Sequence, residues 1–303
     1  MRPKQVLGAV LVLAAILVPR ARAEASQPLK ILQWNMAGAA RNGGDGPPVD
    51  RLVEKIKELR PDIVSINEVC HSQATFLHDS LAKSGIAMNW HFGRASKNFL
   101  NQCNGLFGAD AWAGNAVFTT APIREEKDYW FSGTNIVEER STETRGFTCL
   151  TADFTHPVRV CAIHLDPGGA TEATPVAQAS AIVDKFHKTL EDWPTLLLGD
   201  FNATPEHYLQ RLYAPEVGGQ GVFFEVDMDR GQPPRGEPTH AEGKLDYIFA
   251  NSGFFDRRMT ARVLDGGKCS SNGGKDCSDH KMLYGEVTLQ DAPPGHRGGA
   301  RFE

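Results

Sequence analysis

The sequence predicts an α/β fold built from mixed β-sheets. Strand and helix patterns alternate early in the chain, whereas hairpin patterns appear in the middle. About 280 residues follow an N-terminal leader, and neither an internal repeat nor a low-complexity linker divides them. We therefore expect one large domain over residues 24–290.

The N-terminal elements follow from the spacing of apolar residues. Residues 29–34 alternate as a strand. A helix with one apolar stripe follows and ends before Pro61. Residues 63–69 predict a second strand. Residues 73–83 predict a second helix, since Gly85 just beyond them is a C-cap signal.

The middle of the chain contains a long irregular segment and a hairpin. Residues 89–113 are rich in aromatic side chains and lack a regular pattern, so they predict a long loop, and such loops in compact domains are usually functional. A strand resumes over residues 114–118. Residues 145–153 and 158–165 predict paired strands that turn at His156-Pro157.

The C-terminal elements are marked by helix caps and buried strands. Thr174 predicts a helix cap, with Pro175 at the first helical position. The Leu-rich residues 195–198 predict a buried strand that breaks at Gly199. Three more elements complete the prediction: a short helix starting at Thr204-Pro205, a strand over residues 244–249 with Asp246 inside it, and a strand over residues 282–287.

The two ends of the chain differ in composition from the predicted domain. Residues 1–23 have a basic start, an apolar core over residues 6–18 and an Ala21-Arg22-Ala23 cleavage signal, the three parts of a secretory signal peptide. A membrane-spanning helix needs roughly 20 apolar residues, so this core is too short. We expect a secreted, extracellular protein without a stable membrane anchor. Residues 291–303 are rich in Pro and Gly and predict a flexible tail.

The net charge limits the classes of ligand. The formal net charge is −5, and removing the signal takes away four basic residues and no acid, which leaves −9. General polyanion binding rests on Lys and Arg contacts to phosphate, so a chain this acidic is a poor candidate for it. A phosphate substrate remains compatible if bound cations cancel the acids at the site.

Six cysteines in an exported chain predict disulfide bonds, and fifteen pairings are possible. One pair flanks the predicted hairpin, and another brackets a Gly/Asn/Ser loop that a bond would close. A metal-binding cysteine cluster is disfavoured, because no CxxC spacing occurs. The suggested pairs are Cys149 with Cys161, Cys269 with Cys277 and, as the remainder, Cys70 with Cys103.

Polar side chains recur at the ends of six predicted segments. Alternate side chains of a strand share a face, so Asp200 and Asn202 are expected to point the same way. Carboxylates that converge on one cleft repel one another unless a cation lies among them. Oxygen ligands without cysteine favour Mg²⁺ or Mn²⁺ first and Ca²⁺ next, and zinc less. The residues are Asn35, Glu68, His164, Asp200, Asn202, Asp246, Asp279 and His280.

These residues belong to six short motifs: Trp34-Asn35, Asn67-Glu68-Val69, His164-Leu165, Gly199-Asp200-Phe201-Asn202, Leu245-Asp246-Tyr247 and Ser278-Asp279-His280. Each motif is weak by itself, but their order along the chain is specific. In that order the chain resembles the endonuclease/exonuclease/phosphatase superfamily, the deoxyribonuclease I-like enzymes. The resemblance extends from residue 29 to residue 287, nearly the whole expected domain.

The resemblance implies a four-layer sandwich, in which two mixed β-sheets lie face to face and are flanked by helices. It also implies a metal-dependent phosphoric ester hydrolase whose site lies where strand ends meet. The implied roles are metal ligands for Glu68, Asn35 and Asp279, general base for His280, orienting carboxylate for Asp246, a place near the attacking water for Asp200, and contacts to the scissile phosphate for His164, Asn202 and Arg145.

Three functions are consistent with these residues. The leading hypothesis is a secreted, monomeric phosphodiesterase that cleaves DNA with Mg²⁺, Mn²⁺ or Ca²⁺ as cofactor. The same machinery could act on a phospholipid or a sugar-phosphate ester, with Tyr129-Trp130-Phe131 as the exposed-aromatic candidate for lipid contact, although its pattern predicts a strand. The third is a non-catalytic binding module, which the intact set of competent side chains disfavours. Arg145 could equally form a surface ion pair, and Asn115 could either reach the cleft or be a strand-edge amide.

Overall fold

The computed structural model describes residues 28–96, 103, 112–138, 145–168, 172–208, 210–228 and 236–290. The predicted signal peptide, the predicted tail and much of the predicted aromatic loop lie outside these ranges. Among the helices inside them, none combines the length and the apolar character that a membrane crossing requires.

Strands outnumber helices in the described residues. The helices are α1 (Pro47–Leu59), α2 (His71–Lys83), α3 (Ala173–Leu190) and α4 (Pro205–Tyr208). The strands are β1 (Leu29–Asn35), β2 (Ile63–Cys70), β3 (Asn89–Ser96), β4 (Ala113–Thr119), β5 (Ile123–Ser132), β6 (Asn135–Val137), β7 (Gly146–Asp153), β8 (Pro157–His164), β9 (Thr195–Asp200), β10 (Phe223–Glu225), β11 (Asp246–Asn251), β12 (Thr260–Leu264), β13 (Lys268–Cys269), β14 (Lys275–Asp276) and β15 (Met282–Val287).

Two large sheets contain most of these strands, and each combines parallel with antiparallel pairs. The first sheet has the order β12-β15-β1-β2-β4-β3; β1 and β2 are parallel and the other neighbours antiparallel. The second has the order β10-β11-β9-β8-β7-β5-β6; β8 and β9 are parallel and the other neighbours antiparallel. The prediction of mixed sheets is confirmed.

Three apolar clusters show how the layers stack. In the first, Leu52 of α1 packs with Phe118 of β4 on the outer face of the first sheet. The second fills the space between the sheets and includes Ile31 of β1 and Leu196 of β9. In the third, Ile182 of α3 covers the outer face of the second sheet. The order helix, sheet, sheet, helix is the four-layer sandwich that the resemblance implies.

The three disulfides form as the sequence suggests. Cys149 and Cys161 lie directly opposite each other on β7 and β8. Structural disulfides persist in oxidising compartments, so this part of the chain is adapted to an oxidising environment. The bonds are Cys70–Cys103, Cys149–Cys161 and Cys269–Cys277.

The predicted loop over residues 89–113 is wrong in its first part. Residues 89–96 form β3, which pairs with β4 along its length and closes the edge of the first sheet. Trp90 and Phe92 alternate along this strand, and the ring of Trp90 stacks on Phe118 at a centroid distance of 5.5 Å. The aromatic side chains here therefore belong to the pattern of an edge strand. Cys103 and Trp112 apart, residues 97–112 lie outside the described residues.

Two predicted boundaries are also wrong. Helix α3 begins at Ala173, so Thr174 lies in its first turn, and the residue before the helix is Glu172, with φ +50°. Strand β9 does not break at Gly199 but continues to Asp200. Gly199 has φ +146°, and a Cβ there would collide with the carbonyl oxygen of Ile163 on β8. Glycine thus allows the parallel strands to approach each other, where we expected it to end the strand.

Candidate active site

A bulge in β2 turns Glu68 toward the end of the sandwich. The register of β2 against β4 shifts between Ile66 and Val69, and Glu68 has φ +53°, a backbone conformation that costs a non-glycine residue about 1–3 kcal/mol. Its Oε1 lies 3.4 Å from Nδ2 of Asn35 and 3.8 Å from Nε2 of His164. The bulge therefore directs this carboxylate toward polar groups of both sheets.

His280 and Asp246 form a buried pair. Nδ1 of His280 lies 2.8 Å from Oδ2 of Asp246, which is the first residue of β11 and fully buried. The backbone N–H of His280 donates to Oγ of Ser278 at 3.0 Å, and its carbonyl accepts a hydrogen bond from Nε1 of Trp34 at 3.1 Å. The imidazole is thus held by both its ring and its backbone, which leaves Nε2 facing the cleft.

Asp200 lies at the centre of the site. It ends β9, and the sheet register puts it beside His164 of β8 on one side and Asp246 of β11 on the other. Its Oδ2 accepts a hydrogen bond from Nδ2 of Asn35 at 3.0 Å and lies 3.5 Å from Nε2 of His164. Nε2 of His280 is 3.6 Å from the same oxygen. Strand ends from both sheets therefore converge on one carboxylate.

Burial and neighbouring charges shift the pKa values of His164 and His280 in opposite directions. Burial, the positive charge of Arg145 and that of His280 together hold the pKa of His164 well below its ordinary value. Burial also opposes the charged form of His280, but the charges of Asp246 and Asp200 outweigh it and raise the pKa of His280. Burial raises the pKa of Asp200, with His280 acting against that rise. The pKa values of the two imidazoles are therefore shifted in opposite directions, and positive charge bound among the carboxylates would lower the pKa of His280 again.

Arg145 points inward and contacts His164. Its Nη1 lies 2.6 Å from Nε2 and 2.8 Å from Nδ1 of the imidazole, and its Nε is 3.4 Å from Oδ1 of Asp166. Only 15% of the side chain is exposed, which fits a group in the cleft better than the surface ion pair that the sequence also allowed.

Asn202 follows Asp200 in a left-handed conformation, with φ +51°. Its backbone N–H donates to Oδ1 of Asp200 at 3.0 Å, and its Nδ2 donates to the carbonyl of Leu165 at 2.8 Å. A carboxamide nitrogen carries two hydrogens, so one remains for a further acceptor.

Asp279 lies at the rim of the site and pairs with Arg41. Its carboxylate is partly exposed, and Oδ2 lies 2.6 Å from Nη2 of Arg41 and 3.7 Å from Nε2 of His240. Burial works against the charged form, but the hydrogen bond from Arg41 and the charge of His280 lower the pKa of Asp279. Neither Arg41 nor His240 was identified from the sequence, because neither belongs to the strand-end motifs.

A buried amide network beneath the site was also missed. Oδ1 of Asn67 accepts hydrogen bonds from Nε2 of Gln33 at 2.8 Å and from the backbone N–H of Asp200 at 3.0 Å. Nδ2 of Asn67 donates to Oδ1 of Asn115 at 2.9 Å, and Asn115 in turn donates to the carbonyl of Gly146. Asn115 thus connects the two sheets and does not reach the cleft. The sequence signal for this network is a polar residue inside an apolar strand, as at Asn67 and Asn115.

The cluster suits a hard divalent cation. Asn35 and Glu68 of the predicted ligand set lie together, whereas Asp279 pairs with Arg41. The ligand atoms in the cluster are mostly carboxylate oxygens, which Mg²⁺ and Mn²⁺ prefer. Buried carboxylates at such short separations also call for a compensating positive charge. A further group whose ligand atoms lie within 4.8 Å of one another consists of Asp200, Asp246 and His280.

The family model described as the Endonuclease/Exonuclease/phosphatase family matches residues 32–280, which include every residue of this cluster. The chain belongs to this family. The resemblance carried by the six motifs is therefore confirmed. As its name says, the family comprises endonucleases, exonucleases and phosphatases, which are hydrolases of phosphoester bonds. A search of curated proteins gives no match.

Solved structures of the family share the fold at low sequence identity. Truncated Caenorhabditis elegans TDP2 is 14% identical with a TM-score of 0.61, over 86% of this chain and 97% of that one. The human Nocturnin catalytic domain with bound sulfate anion is 19% identical with a TM-score of 0.62, over 87% and 94%. An endonuclease/exonuclease/phosphatase family protein from Leptotrichia buccalis is 17% identical with a TM-score of 0.59, over 87% and 100%.

Proposed function

We propose that this family member is a secreted, monomeric phosphodiesterase that cleaves DNA with a divalent cation and a water activated by His280. The observation that carries the proposal is the buried His280–Asp246 pair, whose free Nε2 faces Asp200 in the cleft that also contains Glu68. A histidine whose second nitrogen is fixed by a carboxylate is a suitable general base for water.

The cation would be held by Glu68 and Asn35, with Asp279 as a third ligand. Mg²⁺ or Mn²⁺ is the preferred ion, followed by Ca²⁺. When bound, it supplies positive charge that offsets the charge developing on the phosphate oxygens.

Each remaining residue has a role that follows from its contacts. Asp246 accepts the Nδ1 proton of His280, which fixes the tautomer and leaves Nε2 free to take a proton from water. Asp200 accepts a hydrogen bond from that water. His164, Arg145 and Asn202 donate hydrogen bonds to the non-bridging oxygens of the scissile phosphate. These are the roles that the family resemblance implies, and Asn202 would donate its second amide hydrogen to the phosphate.

The lipid alternative loses its main support. Tyr129 and Phe131 are buried on β5, in the cluster that packs against α3. Nε1 of Trp130 donates to the carbonyl of Arg94 at 2.8 Å. The aromatic segment that was the candidate for membrane contact is therefore part of the second sheet. Secretion and the disulfides fit an enzyme that meets DNA outside the cell, and residues 1–23 are the proposed signal peptide.

The direct test is nicking of supercoiled plasmid by the purified, disulfide-bonded chain. We expect nicking with Mg²⁺ or Mn²⁺, none with chelator, and none from His280→Ala. RNA, phospholipid, sugar-phosphate and phosphomonoester substrates should be assayed with the same metals. Absence of cation-dependent nicking, or equal nicking by His280→Ala, would contradict the proposal.

A further inference from the structure

Two basic side chains, Arg41 and His240, lie at the rim of the site and are not among the groups proposed to contact the scissile phosphate. Contacts run from Arg145 to His164, from His164 to Asp200 and from Asp200 to His280. Beyond His280 they continue to the rim: the rings of His280 and His240 have centroids 4.7 Å apart. In this chain of contacts, three side chains therefore lie between Arg145 and His240.

Arg41 lies close to His240, on the same carboxylate. Its Nη2 and Nε2 of His240 both approach Oδ2 of Asp279, at 2.6 and 3.7 Å. The side chain of Arg41 is 44% exposed, and that of His240 is 17% exposed. Both side chains thus reach solvent beside the proposed general base. In the mechanism above, neither has a role.

The segment that carries Arg41 is fixed in place by its neighbour. Asn42 is buried, and its Nδ2 donates to the carbonyls of Ala37 at 3.1 Å and of Cys277 at 2.7 Å. Its Oδ1 accepts a hydrogen bond from Oγ of Ser271. Asn42 therefore ties the Arg41 segment to the loop closed by the Cys269–Cys277 disulfide, which leads directly to Asp279 and His280. A guanidinium held in this way binds an anion at little ordering cost.

We propose that Arg41 and His240 form a second anion-binding subsite, which binds the phosphate next to the scissile one in a nucleic acid strand. The proposal rests on the proposed function, because it assumes a phosphodiester at Arg145 and His164. Guanidinium and imidazole N–H groups are strong donors to phosphate oxygens. A substrate with one phosphate contacts only Arg145 and His164, whereas a nucleic acid strand also reaches Arg41 and His240. The subsite makes the enzyme selective for phosphodiester chains.

The test compares two substrates, a single-stranded oligodeoxynucleotide and bis(4-nitrophenyl) phosphate, which has one phosphate. In Arg41→Ala we expect kcat/KM for the oligonucleotide to fall about tenfold or more, as for the loss of a charge-assisted hydrogen bond. For the small diester it should change less than about twofold. His240→Ala should likewise lower the ratio of kcat/KM for the oligonucleotide to kcat/KM for the small diester. Arg41→Lys should lower this ratio less than Arg41→Ala does.

Salt dependence gives a second measurement that a purely structural role would not change. Loss of one phosphate contact on a single strand should reduce the slope of log kcat/KM against log salt by about 0.7. Arg124→Ala is the matched control: Nη2 of Arg124 lies 2.8 Å from Oδ1 of Asp153, and the side chain is 42% exposed. This control should leave both the ratio and the slope unchanged.

The outcomes separate this proposal from the proposed function. If Arg41→Ala lowers activity on both substrates equally with no change in slope, Arg41 acts only through Asp279, and the second subsite is wrong while the phosphodiesterase stands. If the wild-type chain hydrolyses neither substrate with any divalent cation, both proposals are overturned.

Discussion

Asp200 and Asp246 carry the same side chain and lie opposite each other on β9 and β11, yet their contacts give them different roles. Asp246 is committed to Nδ1 of His280 at 2.8 Å. Asp200 accepts one backbone hydrogen bond, from Asn202, and turns Oδ2 toward Asn35 and two imidazoles. One carboxylate therefore fixes a base, and the other presents an oxygen to the cleft.

The role of Asp246 predicts a large kinetic effect without unfolding. Asp246→Asn keeps the shape of the side chain but removes the charge that fixes the Nδ1 proton of His280. General-base catalysis contributes roughly 10²–10⁴-fold, so we expect kcat for plasmid or small-diester cleavage to fall by at least about 10². Steady-state kinetics would measure this fall, and circular dichroism would check the fold.

The chain supplies a matched control for this substitution. Asp128 also pairs with a histidine, its Oδ1 lying 2.9 Å from Nε2 of His91, but this pair is outside the active site. Asp128→Asn should leave kcat unchanged. A similar loss of activity in both variants would mean that general destabilisation explains the effect of Asp246→Asn.

At the scale of elements, the close approach of β8 and β9 depends on Gly199. An alanine there would have to adopt φ +146° and would push its Cβ into the carbonyl of Ile163. Strain of this kind and overpacking each cost about 1–3 kcal/mol, so we expect Gly199→Ala to lower the free energy of unfolding by about 2–6 kcal/mol. Urea denaturation would measure the loss.

Gly133→Ala is the appropriate comparison, since it changes the backbone preference without a collision. Gly133 has φ +63°, and a Cβ there would have no heavy atom within 4 Å. We expect a cost of roughly 1–2 kcal/mol, the left-handed penalty alone. Equal costs for the two alanines would refute the argument that strand approach requires Gly199.

A histidine clasp joins the edges of the two sheets. His91 of β3 lies between two carboxylates of β5, with Nε2 2.9 Å from Oδ1 of Asp128 and Nδ1 3.2 Å from Oε2 of Glu126. Oγ1 of Thr148 on β7 donates to the same oxygen of Asp128 at 2.6 Å. Burial disfavours the charged ring, but Asp128 and then Glu126 outweigh it, so the pKa of His91 is raised.

The clasp predicts a pH-dependent contribution to stability. Because the folded pKa of His91 lies above the unfolded value of about 6.5, its contribution is complete below that pH and disappears as the pH rises through the folded value. The difference in unfolding free energy between wild type and His91→Gln should therefore be larger at low pH than at high pH. Urea denaturation at pH 5.5 and pH 9 would measure it, and a difference that grows with pH would contradict the assignment.

At the scale of the whole molecule, cation binding should stabilise the fold, because the ligands come from distant parts of the chain and meet only when it is folded. A ligand at about 100 times its Kd adds about 2.7 kcal/mol. We expect Mg²⁺ or Mn²⁺ to raise Tm relative to NaCl of equal ionic strength. Glu68→Gln should abolish the rise, and an unchanged rise in that variant would remove Glu68 from the site.

The sequence predicts the elements whose pattern is set by deep burial. The Leu-rich β9 and the apolar strand β15 are predicted because most of their side chains are buried. Each is therefore a nearly continuous run of apolar residues in the sequence. Strand β5 is predicted only at its aromatic residues, because its first half has exposed charges at alternate positions, and β12 has no buried residue and gives no clear signal. Strand β3 is missed because its alternation is concealed in an aromatic-rich segment.

The candidate site is predictable only where a residue belongs to a strand-end motif. Asp246 and His280 were assigned to each other, and they lie in hydrogen-bonding contact. Asn67 is part of a motif, but its task, holding the backbone of Asp200 from the other sheet, is a contact that no local spacing encodes. Arg41 reaches Asp279 across 238 positions of the chain, and a lone arginine in a Gly-rich loop gives no sign of that.

The Cys269–Cys277 bond and Asn42 anchor the rim without touching the centre. Protein produced in a reducing cytoplasm would lack this bond and the other two, including Cys70–Cys103 at the end of the strand that carries Glu68. Preparations from reducing and oxidising hosts would then be two different reagents, because the rim and the cation ligands would both be held less firmly in the reduced protein. The choice of expression host therefore decides which enzyme is assayed.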